Sequence, residues 1–177
     1  MKKFLQILGF SLLTAVLFSF SFEAKAQVSV PAGGFKNAYL SQNKSGKVVL
    51  TYTVWDDQVG KGNYVLAFFW ASWSDEAREE LPYIQAVQKK YAGKVKVLGV
   101  TYGDEIQDSM DAIPEWGITF PSFVFVEDAE PDGRFDIDGI PLVILFGPDG
   151  NIVARDMRGE EIEKALKVLA KLIGHEK

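Results

Sequence analysis

The 177 residues of this chain contain no cysteine and only one histidine, His175. Without cysteine the chain forms no disulfide, offers no thiolate to a metal and has no sulfur to exchange with a substrate disulfide. A serine nucleophile needs an adjacent base, and the only histidine is the third residue from the C-terminus of the sequence. Thiol redox chemistry by this chain is therefore excluded, and histidine-assisted nucleophilic catalysis is disfavoured.

The chain also lacks an excess of positive charge. Its formal net charge is -5 and its sequence pI is about 5.0, which argues against a surface built for nucleic acid. Hydrophobic residues make up 47% of the chain and charged residues 24%, as in ordinary globular proteins. We find no internal repeat, and the length suits one domain with a hydrophobic core.

The N-terminal residues have the pattern of an export signal. Lys2 and Lys3 precede a mostly apolar run, Phe4–Phe22, and Ala24-Lys25-Ala26 follows with the small-x-small pattern of a signal peptidase site. The pattern predicts a signal peptide of residues 1–26 and one domain of residues 27–177, in a periplasmic protein without a stable membrane anchor after cleavage. The alternative is an uncleaved membrane anchor.

The stretch from Tyr64 to Pro82 predicts a buried strand followed by a helix. Val65–Trp70 is apolar at every position, as in a strand covered on both faces. Ser74 is a good N-cap, and Asp75 and Glu76 fall in the first turn, where the helix dipole favours negative charge. Apolar residues then recur at helical spacing, at Ala77, Leu81, Ile84, Val87 and Tyr91. Helix N-termini that follow strands are where α/β folds place their chemistry.

The remaining patterns complete an α/β fold. Residues 27–47 suggest one or two short strands, and the hairpin turn falls at residues 147–150, where Pro, Asp and Gly occupy turn positions. The fold class predicted is a three-layer α/β sandwich with a mixed sheet. Three strands and two more helices are expected, in chain order Val48–Val54, Val95–Thr101, Asp104–Glu115 (helix), Ser122–Val126 and Glu160–Ile173 (helix).

The residues around the first turn resemble a known family. Trp70-Ala71-Ser72-Trp73, followed after four residues by Arg78-x-Glu80-x-Pro82, resembles the active-site segment of thioredoxin-like proteins of the TlpA/redoxin kind. Those proteins read Trp-Ala-Ser-Trp-Cys-x-x-Cys-Arg-x-Glu-x-Pro. Ser74 and Ala77 stand here at the two cysteine positions, so the resemblance implies the thioredoxin-like fold with a degenerate active site.

A second segment carries the same resemblance. Residues 135–141, Phe-Asp-Ile-Asp-Gly-Ile-Pro, are similar to the family segment whose proline follows a cis peptide bond and faces the dithiol. The resemblance implies a cis bond between Ile140 and Pro141, with the Ile140 backbone available to an extended peptide. It also implies that Glu80 lies at the place of a glutamate beneath the family's dithiol, and that Trp73 flanks the site.

The residue types at the turn favour structural roles over catalysis. Ser74 is interpreted as a helix cap, and Asp75 and Glu76 stabilise the helix start while repelling an anionic thiolate. Arg78 is expected on the solvated helix face, and Trp70 and Trp116 in the core. Glu80 is either an inherited buried acid or an exposed residue of the helix.

These residues predict a redox-inactive module that binds a periplasmic protein or peptide, without cofactor or metal. Its expected binding residues are Trp73, Ser74, Asp75, Glu76, Glu80, Ile140 and Pro141. One alternative is a part in thiol-disulfide or peroxide metabolism in which a partner supplies the thiols. The other is a carboxylate site. It would be either a calcium site in the acidic loop of residues 127–138, whose closing ligand position holds Gly139, or acid/base chemistry at Asp75, Glu76 and Glu80.

Overall fold

The computed structural model describes residues 36–124 and 135–174. The predicted signal peptide, most of the acidic loop and His175 lie outside these ranges. No helix in the described ranges is long and apolar enough to cross a membrane.

The described chain contains seven strands and three α-helices. A short 3-10 helix, Trp55–Asp57, connects the second strand to the third. The helices are α1 (Asp75–Lys90), α2 (Ile106–Glu115) and α3 (Glu160–Gly174). The strands are β1 (Lys36–Gln42), β2 (Val48–Val54), β3 (Tyr64–Trp70), β4 (Val95–Thr101), β5 (Ser122–Val124), β6 (Leu142–Phe146) and β7 (Ile152–Arg155).

All seven strands form one mixed sheet in the order β2-β1-β5-β4-β3-β6-β7. The central strands β3, β4 and β5 are parallel, because α1 and α2 carry the chain back across the sheet between them. The flanking pairs, β1 with β5 and β6 with β3, are antiparallel. The carboxyl ends of β3 and β4 therefore meet at one edge of the sheet, which we call the carboxyl edge.

The sheet is covered on both faces, which explains why β3 is apolar throughout. Leu66, Phe68 and Trp70 pack in a cluster that contains residues from all three helices. Val65, Ala67 and Phe69 point the other way, into a cluster that includes Trp55 and Phe135. Edge-to-face aromatic contacts dominate this second layer, with the Trp55 and Phe135 ring centroids 5.2 Å apart.

The predicted fold class is confirmed, and most of the predicted elements are present. Strands Val48–Val54 and Val95–Thr101 have the predicted bounds, and the β6–β7 hairpin turns at residues 147–150. The predicted helix start at Asp104 was wrong, because α2 begins at Ile106 and the Asp104 carboxylate is engaged elsewhere. The predicted strand over residues 122–126 is described only as far as Val124.

Candidate functional site

The turn between β3 and α1 is closed by Ser74. Ser74 is 2% exposed, and its Oγ accepts the Ala77 N–H at 3.1 Å, which makes it the N-cap of α1. The same hydroxyl donates to a Glu76 carboxylate oxygen at 3.4 Å. The predicted capping role of Ser74 is confirmed. The hydroxyl is therefore committed to the helix start.

A carboxylate from the neighbouring loop holds this turn in place. Asp104, which follows β4, accepts the Ser72 N–H at 2.8 Å and the Ser72 hydroxyl at 2.7 Å. It also accepts the Ser109 hydroxyl from α2 at 2.9 Å. One side chain thus joins the two loops at the carboxyl edge to the start of α2. This role of Asp104 could not be predicted from local sequence patterns, because Asp104 and Ser72 are 32 residues apart.

Trp73 is the exposed aromatic residue of the turn. Its side chain is 64% exposed, and its indole N–H donates to the Gly103 carbonyl at 2.8 Å. The hydrogen bond fixes the orientation of the ring while leaving its apolar surface open to solvent. Trp73 therefore presents an exposed aromatic ring with a fixed orientation.

Ile140 and Pro141 lie across from this turn. Phe69 pairs with Leu142 in the β3–β6 ladder, so extending the register by one and two residues brings Pro141 and Ile140 opposite the end of β3. The Ile140–Pro141 peptide bond is cis. Pro141 is buried, whereas Ile140 is half-buried and packs against the second core cluster. The residues that precede β6 and the end of β3 are therefore neighbours at the carboxyl edge.

Glu80 has a different partner from the one that the family resemblance implies. Its side chain is buried, and a carboxylate oxygen accepts the N–H of Gly159, the residue before α3. Of the two interpretations left open by the sequence, the buried acid is correct. The hydrogen bond to Gly159 joins α1 to the start of α3. Among the described residues, no hydrogen bond links Glu80 to Ser74.

The exposed face beside the turn is acidic. Asp75 and Glu76 are exposed, and Arg78 lies 3.8 Å from Glu115 with its guanidinium over the Trp116 ring. Trp116 is only half-buried, so the prediction that it lies in the core is partly wrong, whereas Trp70 is fully buried as predicted.

A shallow cleft of about 280 Å³ lies between the β3–α1 turn and α2. It is lined by Ser72, Asp75, Arg78, Asp108, Asp111, Ala112, Glu115 and Trp116.

Within the described ranges, no group of three or more His, Cys, Asp or Glu side chains is arranged to hold a metal ion. The proposed calcium loop falls mostly outside those ranges, so its carboxylates have no described geometry. Asp75, Glu76 and Glu80 do not converge in any described hydrogen bond. The exposed Trp73 ring and the polar groups of the β3–α1 turn can therefore contact an apolar or hydrogen-bonding ligand. Among the described residues, the three carboxylates do not form an acid/base pair.

The family model that matches this chain is described as thioredoxin-like and covers residues 62–152. This range contains the β3–α1 turn, the cis bond and β6 with the turn that follows it. The chain belongs to the thioredoxin-like family.

Curated relatives of this thioredoxin-like chain are thiol-disulfide oxidoreductases or proteins named for the fold. It is 27% identical over 115 residues to the thioredoxin-like protein YneN of Bacillus subtilis, covering 62% of this chain and 66% of the relative. It is 26% identical over 94 residues to the thiol-disulfide oxidoreductase ResA of the same organism, covering 52% of each. The chain thus spans between about half and two thirds of the length of these relatives.

Solved structures agree on the fold. A thiol-disulfide oxidoreductase from Bacteroides fragilis superposes with a TM-score of 0.61 at 25% identity, covering 78% of this chain and 98% of that one. The thioredoxin domain of a thiol-disulfide oxidoreductase from Bacteroides vulgatus gives a TM-score of 0.64 at 24% identity, covering 81% and 97%. The absence of cysteine therefore leaves a thioredoxin-like fold with a degenerate site.

Proposed function

We propose that this thioredoxin-like chain is an exported, redox-inactive module that binds an extended peptide segment of a periplasmic partner. The observation that carries the proposal is the exposed, hydrogen-bonded Trp73 at the carboxyl edge of the sheet, in a chain without cysteine. The N-terminal pattern supports export, and an intact mass that begins at Gln27 would support cleavage after residue 26.

The proposed binding surface is preorganised by hydrogen bonds. Asp104 holds the turn through two hydrogen bonds to Ser72 and also accepts the Ser109 hydroxyl of α2. The Gly103 carbonyl fixes the Trp73 ring, so the binding of a partner would cost little conformational entropy at this surface. Large aromatic side chains at the centre of a contact contribute most of the binding energy in many interfaces. The backbone of Ile140, next to β6, offers strand-like hydrogen bonds to an extended segment.

The charge around Trp73 indicates the chemistry of the partner. Asp75 and Glu76 are exposed in the first turn of α1, and Glu105 and Asp108 are exposed around the start of α2. The loop before β6 adds the exposed Asp136 and Asp138. The nearby Arg78 lies beside Glu115 and over the Trp116 ring. An apolar segment flanked by lysine or arginine fits this edge, and its association should weaken as salt screens the charges.

A second candidate function follows from the names of the relatives. ResA is named a thiol-disulfide oxidoreductase, so this chain could take part in the same metabolism if a partner supplied both thiols. Thiol exchange requires an attacking sulfur, which this chain lacks. Faster reduction of insulin by the captured partner together with this protein than by the partner alone would support this second candidate and contradict the first.

The binding proposal is tested by photo-crosslinking from position 73 in the exporting cell, followed by affinity measurements with the captured partner. We expect Trp73→Ala to weaken binding about tenfold or more, as for an aromatic anchor. Ile140→Glu should weaken it similarly. Tyr83→Ala removes another exposed aromatic side chain, on α1 beside Gly159, and should leave the affinity unchanged. Wild-type affinity in both site variants, with unchanged melting temperatures, would show that binding lies elsewhere.

A further inference from the structure

The two edges of the sheet differ in how well they are protected against pairing with another strand. Strand β7 has four residues, follows a register irregularity in β6 and ends at Arg155, which bonds to Asp156 and to the Asp136 carbonyl. Strand β2 has seven residues in unbroken register with β1 and contains no charge and no proline. Natural edge strands are usually blunted by charges, proline, bulges or short length. In the described chain, β2 has none of these devices.

Strand β2 also exposes apolar side chains. Leu50 is 40% exposed and Tyr52 is 71% exposed, and they lie on the same face because they are two residues apart in a strand. Thr51 between them is exposed on the opposite face. Among the described strands, β2 pairs only with β1. Its outer side therefore offers backbone hydrogen-bonding groups together with an apolar surface.

The sequence of β2 is complementary to itself in the antiparallel direction. When two copies overlap over the whole strand, Thr51 faces Thr51 of the second copy at the symmetry axis. The same register places Leu50 directly opposite Tyr52 of the second copy, and the symmetry repeats this pair. An aromatic residue opposite an aliphatic one on the same face stabilises paired strands.

The flanking charges agree with this register. Lys44 and Lys47 are exposed just before β2, while Asp57 is exposed and Asp56 half-buried just after it. Among the described residues, none of these four side chains forms an ion pair. Antiparallel pairing brings the lysine end of each copy to the aspartate end of the other. A shift of the register by two residues would shorten the paired length of the two strands and would separate Leu50 from Tyr52 of the second copy.

We propose that β2 is a dimerisation strand, which pairs antiparallel with β2 of a second copy of this chain about a two-fold axis at Thr51. The pairing joins two seven-stranded sheets into one continuous sheet. It is independent of the peptide-binding proposal, because β2 and the β3–α1 turn are separated by β1, β5 and β4 in the sheet.

The first experiment measures the oligomeric state of the purified full chain by sedimentation equilibrium over a range of concentrations. We expect a concentration-dependent dimer for the wild type. Thr51→Lys places two like charges face to face at the axis and should weaken the dimer about tenfold. The control Thr119→Lys makes the same change at an exposed threonine outside β2 and should leave the dimer intact.

The second experiment exchanges the charges at the two ends. Lys44→Glu with Lys47→Glu in one variant, or Asp56→Lys with Asp57→Lys in another, brings like charges together in each homodimer. A mixture of the two variants restores opposite charges at both ends. We therefore expect each variant alone to be mainly monomeric and the mixture to form a heterodimer, which two generally destabilised proteins would not do.

Three results would overturn the proposal. The first is a wild type that remains monomeric at all accessible concentrations, as expected if a segment outside the described residues covers β2. The second is a dimer that Thr51→Lys does not weaken, since its interface must then lie elsewhere. The third is a mixture of charge variants that dissociates as fully as each variant alone.

Discussion

Ser74 shows at the scale of one residue how the site differs from that of a dithiol protein. Its oxygen accepts the Ala77 N–H and its proton is directed to Glu76, so the hydroxyl acts within the helix start. At such a position a cysteine is stabilised as a thiolate, because the helix N-terminus favours negative charge. A serine hydroxyl gains far too little from the same field to ionise. The site therefore keeps the electrostatics of its family without a group that can use them.

Glu80 carries the first stability prediction. Glu80→Ala leaves the Gly159 N–H without its acceptor at the start of α3, which should lower the free energy of unfolding by about 1–3 kcal/mol. Glu80→Gln keeps a carbonyl acceptor and should cost less. Urea unfolding measures both changes.

The control for Glu80 is Glu79→Ala, which removes an exposed carboxylate one residue earlier on the same helix. It should change the free energy of unfolding by only a few tenths of a kcal/mol. Equal losses for Glu79→Ala and Glu80→Ala would mean that the hydrogen bond to Gly159 contributes nothing to stability.

At the scale of the element, strands β4 and β5 pack closely at one glycine. Gly99 pairs with Ser122, and a Cβ at Gly99 would lie 2.1 Å from Ser122 Oγ and 2.8 Å from Trp70 Nε1. Neither of these two buried polar atoms has a hydrogen-bond partner among the described residues. Gly99 is therefore required for the close approach of the two side chains, and its φ is not in the left-handed region.

Gly99→Ala should destabilise the protein by about 1–3 kcal/mol through overpacking. Ser122→Gly removes both atoms that the new methyl group would meet on β5, so the double variant should lose less than the two single changes added together. Gly139→Ala, where a Cβ meets nothing within 4 Å, serves as the control. Additive losses measured by thermal unfolding would contradict the packing argument.

The elements also show what the sequence could and could not predict. The strands Val48–Val54 and Val95–Thr101 were predicted correctly because β-branched runs bounded by polar residues are local signals. The start of α2 was missed because Asp104 bonds to Ser72, which is distant in the sequence. The cap at Ser74 was predicted correctly from the acidic residues and the helical spacing that follow it. The partner of Glu80 lies 79 residues away and has no local signature.

On the scale of the whole molecule, the burial of Tyr39 on β1 should make the stability of the protein depend on alkaline pH. Tyr39 packs edge-to-face on Phe123, with ring centroids 5.0 Å apart, and burial raises the pKa of Tyr39 from 10.0 to about 12. The neutral phenol is favoured in the folded state. Its contribution to stability is complete below pH 10 and is lost as the pH rises to about 12, because the unfolded state releases the proton first.

The predicted measurement is the free energy of unfolding between pH 9 and 12. The wild type should lose stability with a steeper slope above pH 10 than Tyr39→Phe, which has no proton to release at this position. Parallel slopes for the two proteins would show that Tyr39 does not couple folding to alkaline pH.

The difference between the two sheet edges also limits the size of an assembly that forms by strand pairing. An assembly that adds strands at both ends of a sheet can elongate into a filament, whereas one with a single open end terminates after one addition. Because β7 is short, irregular and ends in a charged residue, pairing through β2 uses the only unprotected edge in the described sheet. Self-association of this chain should therefore stop at a closed pair, with no increase in light scattering over time at concentrations where the pair is complete.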